Sequence, residues 1–311
     1  MTTTRAVRPD DGPALLQLQH AHQLHVLGRP DTTADDVADS LADPDLLAAS
    51  PVVADDGGPL IGCALVFPEG SSGRVDLEVV VDPVRAARRL PELLASALAL
   101  SADAGRAHGH VEVDVDQGCY RDDGQLAAAL TAAGFARATA FHRMRRELVD
   151  PVEVRVSPGV VVTRVEGESD DALRRAHRLH NATFAGHFGF TERPWEEWHA
   201  AVRARSGTGP LWFAALDGED VGFLHETSQF VQDEDAGYVW RLGVAPAARG
   251  RGVAKALLLS SFAAMRERGR RAALLHVDSA NATGATALYE SVGMRAALVI
   301  DVWRATVPSA P

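Results

Sequence analysis

The stretch VAPAARGRGVAKALL, residues 244–258, decides how the chain is read. It sets alternating arginines and glycines between two segments of different period. Upstream, GYVWRLGV (237–244) carries the β-branched and aromatic residues of a strand. Downstream, Val253, Leu257, Leu258, Phe262 and Met265 recur at helical spacing until Gly269 ends the pattern. The glycine run therefore opens a helix. The first amides of a helix lack internal acceptors and stand at the positive end of its dipole, which makes that end an anion site. Gly250 and Gly252 remove side chains that would hold a phosphate away, and Arg249 and Arg251 add positive charge. The ligand expected here is a pyrophosphate. A dinucleotide fingerprint requires a third glycine where Lys255 stands, and no phosphate loop of the G-x-x-x-x-G-K-[ST] type occurs, so neither NAD nor ATP is supported.

Working outward, the chain reads as one plan written twice. TRAVRPDDGPALLQLQHAH near the start and VVVTRVEGESDDALRRAHRLHNATF from Val160 both give a strand, a polar turn and a helical run. PLIGCALVFP (59–68) matches DVGFLHETSQ (220–229) as a strand entered through a turn. LEVVVDPVRAARRLPELLASAL pairs with WRLGVAPAARGRGVAKALLLSS at an offset of 163 residues, which sets Pro83 against Pro246. ALTAAGF (129–135) mirrors ALYESVGM (287–294). The expected division is a first domain over 1–148, a proline-containing linker over 149–158 and a second domain over 159–311.

Composition narrows the partners. The 311 residues carry a formal net charge of −11 and are 46% hydrophobic, enough for a core in each half and unsuited to a polyanion. No nucleic acid is expected, and a cationic or amine substrate suits the charge better. No apolar run reaches the roughly 18 to 20 residues of a membrane span, so no membrane is expected either. The start lacks the apolar core of a signal peptide and there are only two cysteines, which together place the protein in the cytoplasm as an expectation. His20, His22 and His25 do not form an i, i+4 pair, and His108 and His110 have no acidic or cysteine partner at a recognisable spacing; no metal is expected.

The pattern R-x-x-G-x-A filled by Arg249, Gly252 and Ala254, after a strand ending LGV-x-P, resembles the acyl-CoA site of the GCN5-related N-acetyltransferase (GNAT) family. VDSANATGATALYESVGM, some 30 residues on, resembles that family's last strand and helix. The resemblance implies an α/β chain of two tandem GNAT-like domains, each a mixed, mostly antiparallel sheet flanked by helices. It implies acetyl-CoA as co-substrate, with Leu242, Gly243 and Val244 along the pantetheine arm, the amides of Arg249, Gly250, Arg251, Gly252, Val253 and Ala254 on the pyrophosphate, and Asn281 facing the arm from the next strand. Tyr289 falls where the family places an acid for the departing thiolate. The family's glutamate base, four residues before Leu242, is replaced by Tyr238. Base candidates near it are His225, Asp235 and the favoured Glu226, and direct proton loss to water is the alternative. His187, in NATFAGHFGFTERPWEEWHA (181–200), is expected in the acceptor pocket. The activity implied is N-acetylation of a small-molecule amine by direct attack on the thioester. Acetylation of a protein amine, or acyl-CoA binding without catalysis, are the alternatives.

By the same offset, Arg249, Gly252 and Ala254 correspond to Ala86, Arg89 and Pro91, and in the pairing of ALTAAGF with ALYESVGM Tyr289 falls opposite Leu130. The first copy is therefore expected to be degenerate, with one active site per chain.

Overall fold

The computed structural model describes residues 2–309 apart from 44, 70–71, 167–168, 185–191, 193, 205–206 and 279–283. In chain order the first elements are β1 (Thr2–Ala6), α1 (Gly12–Leu27), α2 (Ala34–Ala42), β2 (Pro51–Asp55), β3 (Leu60–Pro68), β4 (Arg74–Val81), α3 (Leu90–Ala107), β5 (Glu112–Tyr120), α4 (Gly124–Ala132) and β6 (Ala136–Glu147). They are followed by β7 (Val160–Val165), α5 (Asp170–Phe184), α6 (Trp195–Ala204), β8 (Thr208–Leu216), β9 (Glu219–Thr227), α7 (Val231–Glu234), β10 (Ala236–Val244), α8 (Val253–Glu267), β11 (Ala272–Asp278), α9 (Ala285–Ser291) and β12 (Arg295–Pro308).

The chain packs as two units, residues 1–141 with 299–311, and residues 142–298. The sheet of the first unit runs β1-β2-β3-β4-β5-β12, and that of the second runs β6-β11-β10-β9-β8-β7. In each, the first three neighbouring pairs are antiparallel, and the next step, β4 to β5 or β10 to β11, is parallel. The sheets are mixed and mostly antiparallel, and the chain is of the α/β class.

These units are not the contiguous halves that the sequence suggests. The last strand, β12, pairs along β5 from Ile300 opposite Tyr120 to Pro308 opposite Glu112, so the C-terminus completes the first unit. The end of β6 belongs to the second unit: Met144 and Leu148 sit in its core, and the Leu148 amide donates to the Arg271 carbonyl at 2.7 Å. Each half of the sequence supplies the final strand of the other half's sheet. Hydrophobic periodicity identifies strands but not their pairing partners, which is why linear reading placed the boundary at 148.

A helix covers one face of each sheet for the same reason. In β4, Val75, Leu77, Val79 and Val81 are buried while the residues between them are not, and the buried set packs on Leu90, Leu93, Leu94 and Ala97 of α3. In the second unit, Leu257, Leu258, Phe262 and Met265 of α8 pack on Val239, Ala273, Leu275 and Val277. Each such Val, Leu, Phe or Met side chain contributes about 1.5–3 kcal/mol when buried.

β10 and β11 keep a parallel register over three residue pairs, ending at Tyr238 opposite Leu274. Beyond that point the two strands diverge, although both continue for several residues. Against β9, β10 shows a register shift between Val239 and Arg241, a bulge at Trp240 that bends the strand at the place of divergence. A V-shaped opening follows in the middle of the sheet.

Candidate active site

A cavity of about 580 Å3 occupies that opening, bounded by β10, β11, α8, α9 and the end of α5. Its size suits a substrate-sized ligand. Leu242, Gly243, Val244, Arg249, Gly250, Gly252, Val253 and Ala254 all line it, so the residues expected to hold acyl-CoA are brought together. Arg251 is not among the lining residues; its guanidinium turns toward Asp217 at 3.7 Å, leaving only its backbone near the turn. Asn281 and His187 lie outside the described residues.

The anion turn forms for local reasons. Gly250 and Gly252 both adopt left-handed backbone, with φ of 76° and 79°. A Cβ at Gly250 would meet nothing within 4 Å, so that position faces open space, whereas one at Gly252 would collide with the Ser157 hydroxyl. Gly252 is the N-cap of α8 and makes no side-chain cap. The backbone bond from the Ala256 amide to the Gly252 carbonyl, 2.9 Å, opens the helix ladder, so the amides of Val253, Ala254 and Lys255 have no acceptor in the preceding turn. Lys255, the one lysine of the chain, also lines the cavity. Arg249 braces the turn: its Nε donates to the Val244 carbonyl at 3.3 Å and its Nη2 to the Thr183 carbonyl of α5 at 3.2 Å. Gly243 allows the same approach from the strand side, since a Cβ there would strike the Thr183 hydroxyl.

Tyr289 lines the cavity from α9, on the face where α8 packs. Burial pushes its phenol up to about 12, so it remains protonated across the ordinary pH range.

The candidate bases separate clearly. Glu226 is buried behind the sheet and does not line the cavity. Its Oε1 accepts from Trp212 Nε1 at 2.6 Å and Ser261 Oγ at 2.9 Å, and its Oε2 from Arg268 Nη2 at 2.5 Å. Burial raises its pKa, while Arg268 opposes that shift. This is a carboxylate that ties α8 to β8 and β9, and the alternation of the strand, which points Glu226 toward α8, is the reason it misses the cleft. Its neighbour His225 is equally buried, against the Trp240 ring at 5.3 Å, and does not line the cavity. Asp235 pairs with Arg270 and Arg271 at the start of β10.

Tyr238 is buried at the point of divergence, with its Oη 2.9 Å from Nδ1 of His276. His276 is exposed and lines the cavity. Sequence reasoning passed over His276, although a histidine interrupting the apolar run of the strand AALLHVD was a signal. Trp240 and Arg241 also line the cavity, with the guanidinium carbon 3.8 Å from the Trp240 ring centroid and 5.2 Å from that of Trp198.

The first unit differs at each equivalent point. Val79, which the offset sets against Leu242, has its amide hydrogen-bonded to the side-chain Oε1 of Gln117 at 2.9 Å. Pro91 stands in the first turn of α3, and Glu92 places a carboxylate there, paired with Arg89 at 2.6 Å. The Leu130 carbonyl accepts the Phe135 amide at 3.0 Å, as the Tyr289 carbonyl accepts that of Met294 at 3.0 Å, so a core leucine occupies the tyrosine's place.

Among the described residues no group of three or more His, Cys, Asp or Glu side chains could hold a metal ion, and no helix is long and apolar enough to cross a membrane.

Comparison with known proteins agrees with this geometry. The sequence profile described as "Acetyltransferase (GNAT) family" matches residues 173–294. A mycothiol acetyltransferase of Thermomonospora curvata is 32% identical over 243 residues, covering 76% of this chain and 75% of that one. A GCN5-related N-acetyltransferase from Sphaerobacter thermophilus has a similar structure, with a TM-score of 0.81 at 21% identity, over 99% of this chain and 96% of that one. A tandem GNAT protein from the clavulanic acid biosynthesis pathway matches with a TM-score of 0.73 at 16% identity, over 100% and 99%.

Proposed function

The chain belongs to the GNAT family of acetyltransferases, and on that premise we propose that its second unit transfers an acetyl group from acetyl-CoA to the amine of a small molecule by direct attack on the thioester. The observation that carries this reading is the left-handed glycine turn at Gly250 and Gly252, which opens the N-terminus of α8 onto the cleft between β10 and β11.

In this reading the amides that begin α8, with Lys255 beside them, hold the pyrophosphate. The pantetheine arm lies along Leu242 to Val244, in the gap that β11 leaves. That gap presents backbone hydrogen-bond groups of β10 which a neighbouring strand would otherwise satisfy. The thioester then sits at the apex near Tyr238. The neutral amine attacks the carbonyl carbon, a tetrahedral intermediate forms, and its collapse breaks the carbon–sulfur bond and releases the thiolate of CoA. Tyr289 faces that sulfur. Its phenol, at about 12, is a weaker acid than a thiol near 8.5, so complete proton transfer is uphill and its main contribution is a hydrogen bond to the developing charge. The acceptor is a small molecule, as the name of the Thermomonospora relative suggests for that protein, and a mycothiol-type acceptor is the first to try. The first unit completes the fold and carries no second active site.

The test is calorimetric titration with acetyl-CoA of the full chain and of Gly250→Asp. Aspartate tolerates left-handed backbone and meets open space there, so the fold is kept while a carboxylate occupies the phosphate position. Binding at one site per chain, weakened at least about tenfold in the variant (about 1.4 kcal/mol), is the expected result; unchanged affinity would remove the pyrophosphate assignment. Thiol release is then measured over a panel of small primary amines and peptides. Preference for peptides would move the acceptor to proteins, and binding without release for any amine would make the chain an acyl-CoA-binding module.

A further inference from the structure

We propose that His276 is the base that takes the proton of the acceptor amine, and that Tyr238 holds its ring in the required tautomer. This rests on the acetyltransferase reading above.

In β11, Ala272 and Leu274 pack with Phe230 and Tyr238 on one face of the sheet, while Ala273, Leu275 and Val277 pack against α8 on the other. Period two puts His276 on the first face, two residues past the last register pair, Tyr238 with Leu274. His276 therefore stands at the apex of the V, where the thioester carbonyl would lie, on the face opposite Tyr289. A hydrogen-bond donor for sulfur and a base for nitrogen on opposite faces of the cleft suit acyl transfer, since the nucleophile and the leaving group lie on different sides of the tetrahedral carbon.

The ring is fixed from below. Its Nδ1 is 2.9 Å from Tyr238 Oη, and the rings of Tyr238 and Phe230 flank it at 5.6 and 6.4 Å between centroids. When Nδ1–H donates to the tyrosine oxygen, Nε2 carries the lone pair, and the same hydrogen bond persists once the ring is protonated. Tyr238 thus does not touch the amine; it positions the group that does. Among the described residues, the charged groups around this pair include Asp278, two residues on along the same face of β11, Arg241 on β10, and Arg143, whose guanidinium carbon is 5.5 Å from the Phe230 ring centroid and which pairs with Glu234 at 3.4 Å.

The step balances. The amine nitrogen's lone pair forms the bond to the carbonyl carbon, the carbonyl π pair moves to oxygen, and Nε2 takes one proton from nitrogen. Collapse restores the carbonyl and expels the thiolate, which takes a proton from solvent while hydrogen-bonded to Tyr289, and His276 returns its own to solvent. Amine and acetyl-CoA have become amide and CoA.

Two measurements test this on the full chain. In 15N NMR of histidine-labelled protein, which needs no acceptor, His276 is expected as the Nδ1–H tautomer, and Tyr238→Phe is expected to shift it toward Nε2–H. In steady-state kinetics with the amine that gives the fastest thiol release, His276→Gln should lower kcat/KM by about 100-fold or more and remove the acid limb of its pH profile, with the acetyl-CoA Kd within about threefold. Tyr238→Phe should lower kcat by a smaller factor. An Nε2–H tautomer in the unmodified protein, or an acid limb and rate that survive His276→Gln, would overturn the assignment. Failure of the unmodified chain to bind acetyl-CoA would overturn the underlying acetyltransferase reading instead, and calorimetry shows it before any variant is made.

Discussion

The side-chain carbonyl of Gln117 accepts the backbone N–H of Val79 at 2.9 Å, and its amide group donates to the Gly118 carbonyl at 2.6 Å. In the second unit the amide at the matching position, Leu242, lies along the open cleft. One copy of the fold thus satisfies with a side chain the backbone position that the other leaves along the cavity. Titration with acetyl-CoA should accordingly saturate at one site per chain. Gln117→Leu should not create a second site, and should destabilise the fold by about 1–3 kcal/mol in denaturant unfolding, because the buried Val79 amide loses its acceptor. A stoichiometry of two would contradict this account.

The buried carboxylate of Glu226 gives a second prediction. Arg268→Met leaves that group without its counter-charge and should destabilise the chain by about 3 kcal/mol. Glu226→Gln should cost less, and should leave the shape of the kcat/KM profile against pH unchanged. A lost acid limb in Glu226→Gln would return the base assignment to this residue.

Tyr289→Phe should reduce kcat roughly 10- to 100-fold, the value of one hydrogen bond to a charged atom, while acetyl-CoA affinity stays near that of the unmodified chain. Stability supplies an independent check. The folded phenol, at about 12, lies above an unfolded value near 10. Its contribution is complete below pH ~10 and is lost as the pH rises toward 12. The difference in melting temperature between the unmodified chain and Tyr289→Phe should therefore shrink between pH 9 and 11.5; a constant difference would show that burial does not hold the phenol neutral.

Gly243→Ala tests the contact between β10 and the end of α5. The added methyl meets Phe223 Cε1 at 2.9 Å and Thr183 Cβ at 3.0 Å, besides the Thr183 hydroxyl, and should destabilise the chain by about 1–3 kcal/mol. Thr183→Ala in the same chain should recover part of that loss, since it removes the hydroxyl. Strict additivity of the two changes in thermal unfolding would mean that the side chains do not meet.

Much of this molecule was legible in the residues themselves. The switch from a period of two in GYVWRLGV to helical spacing after Gly252 placed the turn, and the left-handed glycines there follow from it. The offset of 163 aligned Val79 with Leu242, the match of ALTAAGF to ALYESVGM aligned Leu130 with Tyr289, and the backbone bonds at Phe135 and Met294 agree with the second pairing. Three things were not legible. The exchange of β6 and β12 depends on which strand edge meets which, and side-chain pattern carries no such information. The orientation of His225 and Glu226 required the register of β9 against β10, which the bulge at Trp240 shifts. The approach of Tyr238 to His276 joins residues on strands separated in sequence by the whole of α8.

The exchanged strands also bear on the history and synthesis of the chain. During translation the first unit waits for β12, made after the other strands of both sheets, before β5 gains its second partner, so strands made early are completed late. A gene shortened to its second half would lose Met144 and Leu148 from the core that supports the cleft. The first half of the sequence is thereby protected from deletion, because the strand β6 that it supplies builds part of the core beneath the cavity.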